Sequence, residues 1–460
     1  MSDAQRPRVR PWLRYTAIAA CLILLPLAAH GLWDYLEARR LSTVIEGIRG
    51  RGEPVYYTGY VARTLTDQEQ RSARYYSAAA VLARGATSIK LKEVNDAIAA
   101  IAETTPSEAA RDARLSRLQH VLDDYAPMLD LLDRAAALDT GGVQANDELR
   151  YTVPNVDLAN VNAVRIARAS FLGDTATATK ALSETLKLRN VSFLWPVGID
   201  TGPSLRLLLM FAPPDTDTLA ALQAQYQGVL DDKEVERDLL RSRARFITNV
   251  WPAAPAPMSV LPRVGGIGPR QSLIDVIVRP RSTRFVRQRI LEYEEALPVA
   301  RQPWPARFEM ALALGKKYPD PPTVRTGGLT TALAPTMSWP AVNVAVMELV
   351  GLTRRTARDA AWQRVALATL AIERFRRAHA DALPESLETL VPQYLSGVPA
   401  DPYTGAPLKY ARSERGYKVY SVGFNRTDEG GDWSDVEPRS TRVPGWPISP
   451  KDIGIDIRKF

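Results

Sequence analysis

The 460-residue chain has few of the residues that most often build metal and redox centres. It contains one cysteine, Cys21, and three widely separated histidines, His30, His120 and His379. A single cysteine can form neither an internal disulfide nor a thiolate cluster. None of the histidines belongs to an H-E-x-x-H or a C-x-x-C-H pattern, so the commonest zinc and haem motifs are excluded.

Signatures of nucleotide-dependent and hydrolytic enzymes are also missing. The chain has no Walker loop, no Rossmann glycine fingerprint and no G-x-S-x-G nucleophile elbow. The net charge of +8 is spread along the chain, and no helix-turn-helix or RNA-binding signature accompanies it. These absences argue against a nucleic-acid partner and favour a protein that is not an enzyme.

The N-terminus, by contrast, carries a long uncharged run. Four arginines, Arg6, Arg8, Arg10 and Arg14, precede nineteen residues, 15–33, that contain no charged side chain. At ~1.5 Å per residue, a helix of this length nearly matches the ~30 Å hydrocarbon core of a bilayer. A tyrosine and a tryptophan flank the run, as they do at membrane interfaces. We therefore predict an uncleaved transmembrane helix over 15–33.

Two processing events are alternatives to an uncleaved anchor. The tetrapeptide I-A-A-C, which ends at Cys21, resembles a lipoprotein cleavage site, but only three residues separate Arg14 from Ile18, too few for a usual signal region. Cleavage after Ala29 is the second alternative, although a clean A-x-A motif is missing there. We predict that the basic N-terminus, 1–14, is cytoplasmic. The protein would then cross the inner membrane once, and the bulk of its chain would be periplasmic.

Beyond the anchor, composition divides the chain into four segments. Residues 34–250 are predicted to form a helical domain, 251–340 a proline-rich irregular segment packed on the helices, 341–437 a long helix with a small sheet, and 438–460 a C-terminal tail. Proline interrupts helix interiors, so the second segment is expected to hold only one or two short helices, such as one over 282–297. The predicted fold class is mainly α, with an extracytoplasmic helical-hairpin body and a small α+β module at the C-terminus.

Within the helical domain, two apolar helices are predicted on either side of Gly173 and Asp174. A glycine that ends one helix and an aspartate that caps the next are typical of antiparallel helices joined by a short turn. The pair resembles a tetratricopeptide-like hairpin, with Ala178 and Ala181 as small packing residues. No repeat at the ~34-residue period of that family is found, so an array is not predicted.

The pattern of 361–436 is the most specific in the chain. A long apolar helical stripe passes through Phe375 and leads to a D-P-Y-T-G-A-P turn at 401–407 and two strand-like stretches around 408–421. An acidic, glycine-rich loop follows Tyr420. Tyrosine and valine favour half-buried strands, and the apolar face of such a sheet needs a partner. The helical stripe can supply that partner.

This order of elements resembles the C-terminal part of the major pseudopilins of type II secretion systems. The matching residues are Pro384, Leu387, Leu390, Val391, Tyr394, Leu395, Pro399, Asp401, Pro402, Gly405, Pro407, Tyr410, Gly416, Tyr417, Tyr420, Ser421, Gly423, Gly430 and Gly431. The family's N-terminal cleavage motif is absent, and about 300 residues separate the anchor from the module. The resemblance therefore implies a membrane-anchored helical protein that carries a pseudopilin-like module, rather than a processed pilus subunit.

In the pseudopilins the loop after Y-S-x-G binds calcium, so the resemblance implies a calcium site here as well. Asn425, Asp428, Asp432 and Asp435 would supply the side-chain oxygens that a hard cation prefers. The chain departs from the family pattern, because Asn425 stands where the family has an aspartate and the loop is about one residue shorter. A solvated turn without a metal is the alternative.

We expect a non-enzymatic scaffold or protein-binding role in the envelope, and the resemblance implies an association with type II secretion or pilus-like machinery. The expected partners are the membrane and other envelope proteins. One alternative is an envelope hydrolase that uses the carboxylates of Glu292, Glu294 and Glu295 or the aspartates of the C-terminal loop.

Another alternative is a peptide- or glycan-binding module built on the proline-rich segment. Trp251, Trp304 and Trp339 would favour such a module if they line one exposed surface, and their burial against helices would oppose it. The histidines carry less information. His120 is predicted to be exposed, and His379 is predicted to be packed or hydrogen-bonded at the edge of the core.

Overall fold

A computed structural model describes residues 11–56, 66–83, 108–138, 155–189, 201–228, 233–250, 273–318, 344–414, 416–433 and 451–458. Within these residues the helices are α1 (Pro11–Gly50), α2 (Asp67–Ala83), α3 (Glu108–Asp124), α4 (Ala126–Ala137), α5 (Asn155–Phe171), α6 (Thr175–Arg189), α7 (Gly202–Phe211), α8 (Thr216–Gly228), α9 (Glu234–Val250), α10 (Leu273–Ala300), α11 (Ala306–Lys317) and α12 (Val344–Ala378). A 3-10 turn, Leu387–Leu390, precedes strands β1 (Lys409–Ser413), β2 (Gly416–Ser421) and β3 (Ile453–Arg458). The prediction of a mainly helical fold with a small C-terminal antiparallel sheet is confirmed.

α1 contains the whole uncharged run of 15–33 and continues unbroken to Gly50. The leucines of the run, at positions 22, 24, 25, 27 and 32, are exposed, whereas Leu41, Ile45 and Ile48 further along are buried. Among the residues that the structure describes, no helix is both long enough and apolar enough to cross a membrane.

The described residues form two compact units. Unit 1 comprises Met1–Ala62, Glu236–Val299 and Gly315–Glu348. Its core joins α1, α9 and α10, because the apolar residues of these helices recur on one face and pack together. The buried members of this core are Leu41, Ile45, Ile48, Val55, Ile247, Val286 and Ile290.

A buried arginine links the elements of unit 1. Arg243, on α9, has no exposed surface and lies 2.8 Å from Glu53 and 2.6 Å from Glu294. Arg51 contacts the same two carboxylates, at 3.1 Å and 2.5 Å. Two arginines thus balance two glutamates, and breaking such a buried pair by removing one partner is strongly destabilising.

α10 corrects the prediction for the proline-rich segment. It is a helix of 28 residues that contains Pro280 and Pro298, where proline content predicted irregular structure with short helices. An interior proline costs a helix roughly 3 kcal/mol, and burial of one face of α10, including Val286 and Ile290, offsets that cost. α11 is a second helix in the same segment.

Unit 2 comprises Arg63–Val235, Ala300–Leu314 and Leu349–Phe460. The predicted hairpin lies within it and is confirmed as α5 and α6. Gly173 has a φ of 74° after α5, and the Asp174 carboxylate accepts the Thr177 N–H at 3.0 Å as the cap of α6. Ala178 and Ala181 are fully buried between the helices.

The C-terminal module shares one core with the helices that precede it in unit 2. The predicted stripe along α12 is buried, and it packs against the apolar face of the sheet. The core residues from α7, α12 and the sheet include Leu205, Leu208, Val365, Ala368, Ile372, Tyr417, Val419, Ile455 and Ile457. The segment boundaries suggested by composition therefore do not coincide with the boundaries of the two units.

β3 lies in the stretch that composition assigned to a tail. The sheet order is β1-β2-β3, and Val419 pairs with Ile455 in the antiparallel register of β2 and β3. Ile453, Ile455 and Ile457 alternate along β3 and are all buried, as expected when one face of a strand meets a core. Three isoleucines form too short a signal to identify a strand without its partner.

Gly416, at the start of β2, provides a test of the sheet. A Cβ atom at this position would lie 1.8 Å from the Ile457 carbonyl oxygen of the paired strand. We expect Gly416→Ala to lower the free energy of unfolding by about 2 kcal/mol, because the backbone of one strand must move. Denaturant unfolding of the full chain measures the change.

Gly397→Ala is the matched control for this substitution. No atom lies within 4 Å of a Cβ built on Gly397. Its effect should stay within about 0.5 kcal/mol, the range of surface substitutions. An equal effect at Gly397 and Gly416 would show that the close approach of β2 and β3 does not limit stability.

Candidate functional site

The candidate site is the acidic loop, residues 422–433, which follows β2 and contains three of the four predicted metal ligands. Its start is held by Asp401, which is only 2% exposed. One carboxylate oxygen of Asp401 accepts the Tyr403 N–H at 2.8 Å, and the other accepts the Val422 N–H at 2.8 Å. A single aspartate therefore fixes both the turn at 401–407 and the origin of the loop.

Local side-chain hydrogen bonds shape the loop. Asn425 Oδ1 accepts the Thr427 N–H at 3.1 Å, and Asp428 Oδ1 accepts the Gly430 N–H at 3.1 Å. Such bonds two residues along the chain are typical of Asx turns. Gly430 and Gly431 have φ values of 70° and 84°, a left-handed conformation that glycine adopts without strain. The hydrogen bond from Gly430 is the main cause of the lowered pKa of Asp428.

The predicted ligands Asn425 and Asp428 are directed to different partners. Asn425 Nδ2 donates to Glu429 Oε1 at 2.6 Å. Asp428 accepts a hydrogen bond from the Tyr420 hydroxyl at 2.9 Å and forms an ion pair with Lys409 at 3.1 Å. These two side chains therefore take part in separate contacts rather than facing one point.

Asp432 is directed to a third partner, Lys451, at 2.9 Å. The fourth predicted ligand, Asp435, lies outside the described residues. Among the residues that the structure places, no three acidic, histidine or cysteine side chains form a group that could hold a metal ion. Two lysines thus already neutralise two of the predicted ligands.

One buried carboxylate of the site was not predicted, because it follows the loop in sequence. Asp452 is fully buried, and its Oδ2 accepts the N–H groups of Gly431 at 2.7 Å and Asp432 at 3.0 Å. Burial raises the pKa of Asp452, and the charge of Glu429 raises it further. The two N–H groups lower this pKa in part. The position of Asp452 directly before the alternating isoleucines of β3 was the available sequence signal.

Two buried carboxylate oxygens at this site have no hydrogen-bond partner in the described structure, Asp452 Oδ1 and Glu429 Oε2. A buried polar group without a partner costs roughly 1–3 kcal/mol, and more when it is charged. The two carboxylates also repel each other, since Glu429 raises the pKa of Asp452. Positive charge placed near these oxygens would remove both costs.

The three glutamates considered for hydrolysis are each paired with a different basic residue. The pairs are Glu292–Arg289 at 2.9 Å, Glu294–Arg243 at 2.6 Å and Glu295–Lys317 at 2.9 Å. Carboxylates that act as acid and base must face one substrate at a fixed separation. In the described geometry these glutamates serve instead as structural ion pairs.

A different carboxylate, Glu184, has the pKa expected of a general acid. Burial, and after it the charge of Asp133, raise the pKa of Glu184 to about 7. Burial also raises the pKa of Asp133, but Arg165 and Lys180 outweigh this effect and lower it. Opposite shifts in a carboxylate pair are typical of acid–base catalysis. Here, however, Arg165 binds both carboxylates, at 2.7 Å and 3.3 Å, and locks them in an ion-pair network.

Trp304 does not line an open groove. It is half-buried and packs against a cluster that contains the fully buried Phe308. The guanidinium of Arg307 lies 4.7 Å from its ring centre. This packing opposes the peptide- or glycan-binding alternative at Trp304, whereas Trp251 and Trp339 lie outside the described residues.

The histidine predictions are confirmed. His120 is exposed. The ring of His379 stacks on Phe375 with 3.9 Å between centroids, and its Nδ1 lies 2.9 Å from the Phe375 carbonyl oxygen. Neither position joins the candidate site.

No protein-family model matches the chain, and no curated protein or solved structure is significantly similar to it. The resemblance of 361–436 to the pseudopilins stays a prediction. Function must therefore be argued from the geometry and chemistry of the described residues.

Proposed function

We propose that the protein is anchored in the inner membrane by α1 and serves, without catalysing a reaction, as a scaffold or protein-binding component of the envelope. The exposed apolar surface of α1 is the observation that carries this proposal. Leu22, Leu24, Leu25 and Leu27 are 62–70% exposed and point to different sides of the helix. A helix that is apolar on all sides belongs in a membrane or a core, and these residues belong to no described core.

The connection between the run and the body supports this reading. Only seven residues separate Trp33, at the end of the run, from Leu41, which is completely buried in unit 1. The helix is continuous across this interval. A continuous helix is stiff, so α1 would hold unit 1 close to the membrane surface instead of tethering it by a flexible linker.

The C-terminal module supports the protein-binding part of the proposal. β1 is at the edge of the sheet, and most of its residues are exposed. Edge strands present unpaired backbone groups that can bind another chain. The long helix packed on a small antiparallel sheet is the architecture that the pseudopilin resemblance implies. We extend the proposal to contact with a pilus-type assembly in the periplasm.

Charged substitutions in the apolar run test the anchor. An arginine at the centre of a membrane helix costs about 2.5–3.5 kcal/mol. We expect the wild-type protein to stay in the membrane pellet after alkaline carbonate extraction and the pair Leu24→Arg with Leu25→Arg to enter the soluble fraction. The matched pair, Val81→Arg with Leu291→Arg, alters exposed residues of other helices and should stay in the pellet. A soluble wild-type protein would rule out the anchor.

Site-specific cross-linking tests the partner. A photo-reactive residue at Asp428, which has 41% of its side chain exposed, should capture pseudopilin subunits in cells that express the secretion system. The same residue at the exposed Ala137, on α4, is the matched control and should not capture them. Recovery of unrelated proteins alone from Asp428 would contradict the pilus-type association.

A second proposal concerns the acidic loop, where we infer a calcium ion held by carboxylate and carbonyl oxygens. It is supported by the unpartnered oxygens of Asp452 and Glu429, which are the hard ligands that calcium prefers. The ion would add positive charge to that of Lys451, whose pKa is raised by Asp432 and, in addition, by the charges of these two carboxylates. Because lysines already neutralise Asp428 and Asp432, the ligands differ in part from the predicted set.

Thermal unfolding with and without calcium tests this site. We expect excess calcium to raise the Tm of the wild-type protein by about 3 °C relative to a chelator, since a ligand stabilises the state that binds it. Asp452→Asn should abolish the rise, whereas Asp217→Asn, at an exposed position on α8, should retain it. Magnesium at the same concentration controls for ionic strength. An unchanged wild-type Tm would mean that the lysines complete the neutralisation.

A further inference from the structure

α10 carries a dense run of positive charge, which is not apparent from the net charge of the whole chain. Five arginines and no acidic residue occur within the eleven residues 279–289. The arginines are Arg279, Arg281, Arg284, Arg287 and Arg289. All of them lie on one continuous helix, and six predominantly apolar residues, 273–278, precede them. The helix therefore repeats the order of α1, in which an apolar stretch leads to charged residues.

α1 and α10 run in the same direction within unit 1. Arg287 Nε donates to Glu37 Oε2 at 3.3 Å. Further along both elements, Arg51 Nη2 donates to Glu294 Oε2 at 2.5 Å. Because both partners advance toward the C-terminus together, the start of α10 and the start of α1 are directed to the same end of unit 1.

The rise per residue of a helix gives the position of the arginines of α10 along the helix axis, relative to the apolar run of α1. Trp33 precedes Glu37 by about 6 Å of helix. Arg284 precedes Arg287 by about 4.5 Å, and Arg279 precedes it by about 12 Å. Counted along the helix axes from the contact of Arg287 with Glu37, Arg279 is therefore about 6 Å before the level of Trp33, and Arg284 is about level with Trp33. If that stretch lies in lipid, this is the level of the headgroups.

Some of the basic residues in this region have structural partners, whereas others do not. Arg287 is paired with Glu37, and Arg289 is paired with Glu292 at 2.9 Å. Arg284, on α10, and Arg39, on α1, are exposed and have no ion-pair partner among the residues that the structure describes. Their guanidinium groups are available to a ligand.

We propose that Arg284 and Arg39 bind the phosphate groups of anionic phospholipids at the membrane surface. The proposal rests on the anchoring proposed above. Guanidinium groups bind phosphate through two parallel N–H bonds, and basic residues next to a membrane segment are attracted to anionic lipids. A long arginine side chain can also cover apolar surface with its stem while its charged group stays in a polar environment. The contact would set how unit 1 stands on the membrane.

Lipid retention by the full chain in neutral detergent micelles tests this proposal. Phosphatidylglycerol or phosphatidylcholine is added, and native mass spectrometry counts the bound lipid. We expect at least about fivefold greater retention of phosphatidylglycerol, equivalent to one well-placed basic residue. The pair Arg39→Gln with Arg284→Gln should reduce this preference to near unity.

The pair Arg117→Gln with Arg412→Gln is the matched control, because it removes two exposed arginines from unit 2 and should preserve the preference. A charge-retaining pair, Arg39→Lys with Arg284→Lys, should also keep most of it. Inorganic phosphate in excess should not displace the lipid. Complete displacement would identify a site for free phosphate and would overturn the lipid proposal.

Equal retention of the two lipids by the wild-type protein would also overturn it, as would equal losses in the two glutamine pairs. These outcomes are separate from failure of the anchor. The anchor is judged by carbonate extraction, which a headgroup contact alone does not survive. A protein that stays in the pellet but shows no lipid preference would keep the anchor and lose this proposal.

Discussion

The continuity of α1 is the constraint on which unit 1 depends. One helix is apolar and exposed over 22–27, and from Leu41 onward one apolar face of it, formed by Leu41, Ile45 and Ile48, is buried. Helical geometry forces the two stretches to share an axis, so whatever surrounds the first also positions the second. The packing of α9 and α10 on the second stretch, and the ion pair of Arg287 with Glu37, then fix where α10 lies along this helix.

Acidic side chains in this protein hold the backbone and neutralise arginine. Asp401 and Asp452 are buried acceptors for backbone N–H groups, and Glu294 and Glu184 are bound to arginine. A carboxylate in such a contact is occupied by its partner, so it does not face a substrate with which it could exchange a proton, as a general acid or base must. Asp452 differs, because one of its oxygens has no partner, and this difference distinguishes it as a candidate ligand.

Local signals predicted local structure well. The hairpin of α5 and α6 needed only Gly173 and Asp174, because a glycine stop and an aspartate cap act within one turn of the chain. The apolar stripe of α12 was predicted equally well from the spacing of its apolar residues. α10 was predicted only in part, as a short helix over 282–297, since the rule that proline ends a helix describes an isolated helix, and burial of Val286 and Ile290 outweighs it. β3 was missed because a strand is stable only when it has a partner.

By itself the sequence determined the uncharged run of α1, the helical character of the body and the turn-and-strand pattern of the C-terminal module. These properties depend on residues near one another in the chain, whose preferences are readable without knowledge of the fold. Only the tertiary structure decided which carboxylates lie together. Asp452 lies next to the acidic loop because β3 pairs with β2. The predicted ligands Asp428 and Asp432 do not converge, because they form ion pairs with two different lysines, Lys409 and Lys451. Contacts between distant residues depend on packing, which no local pattern encodes.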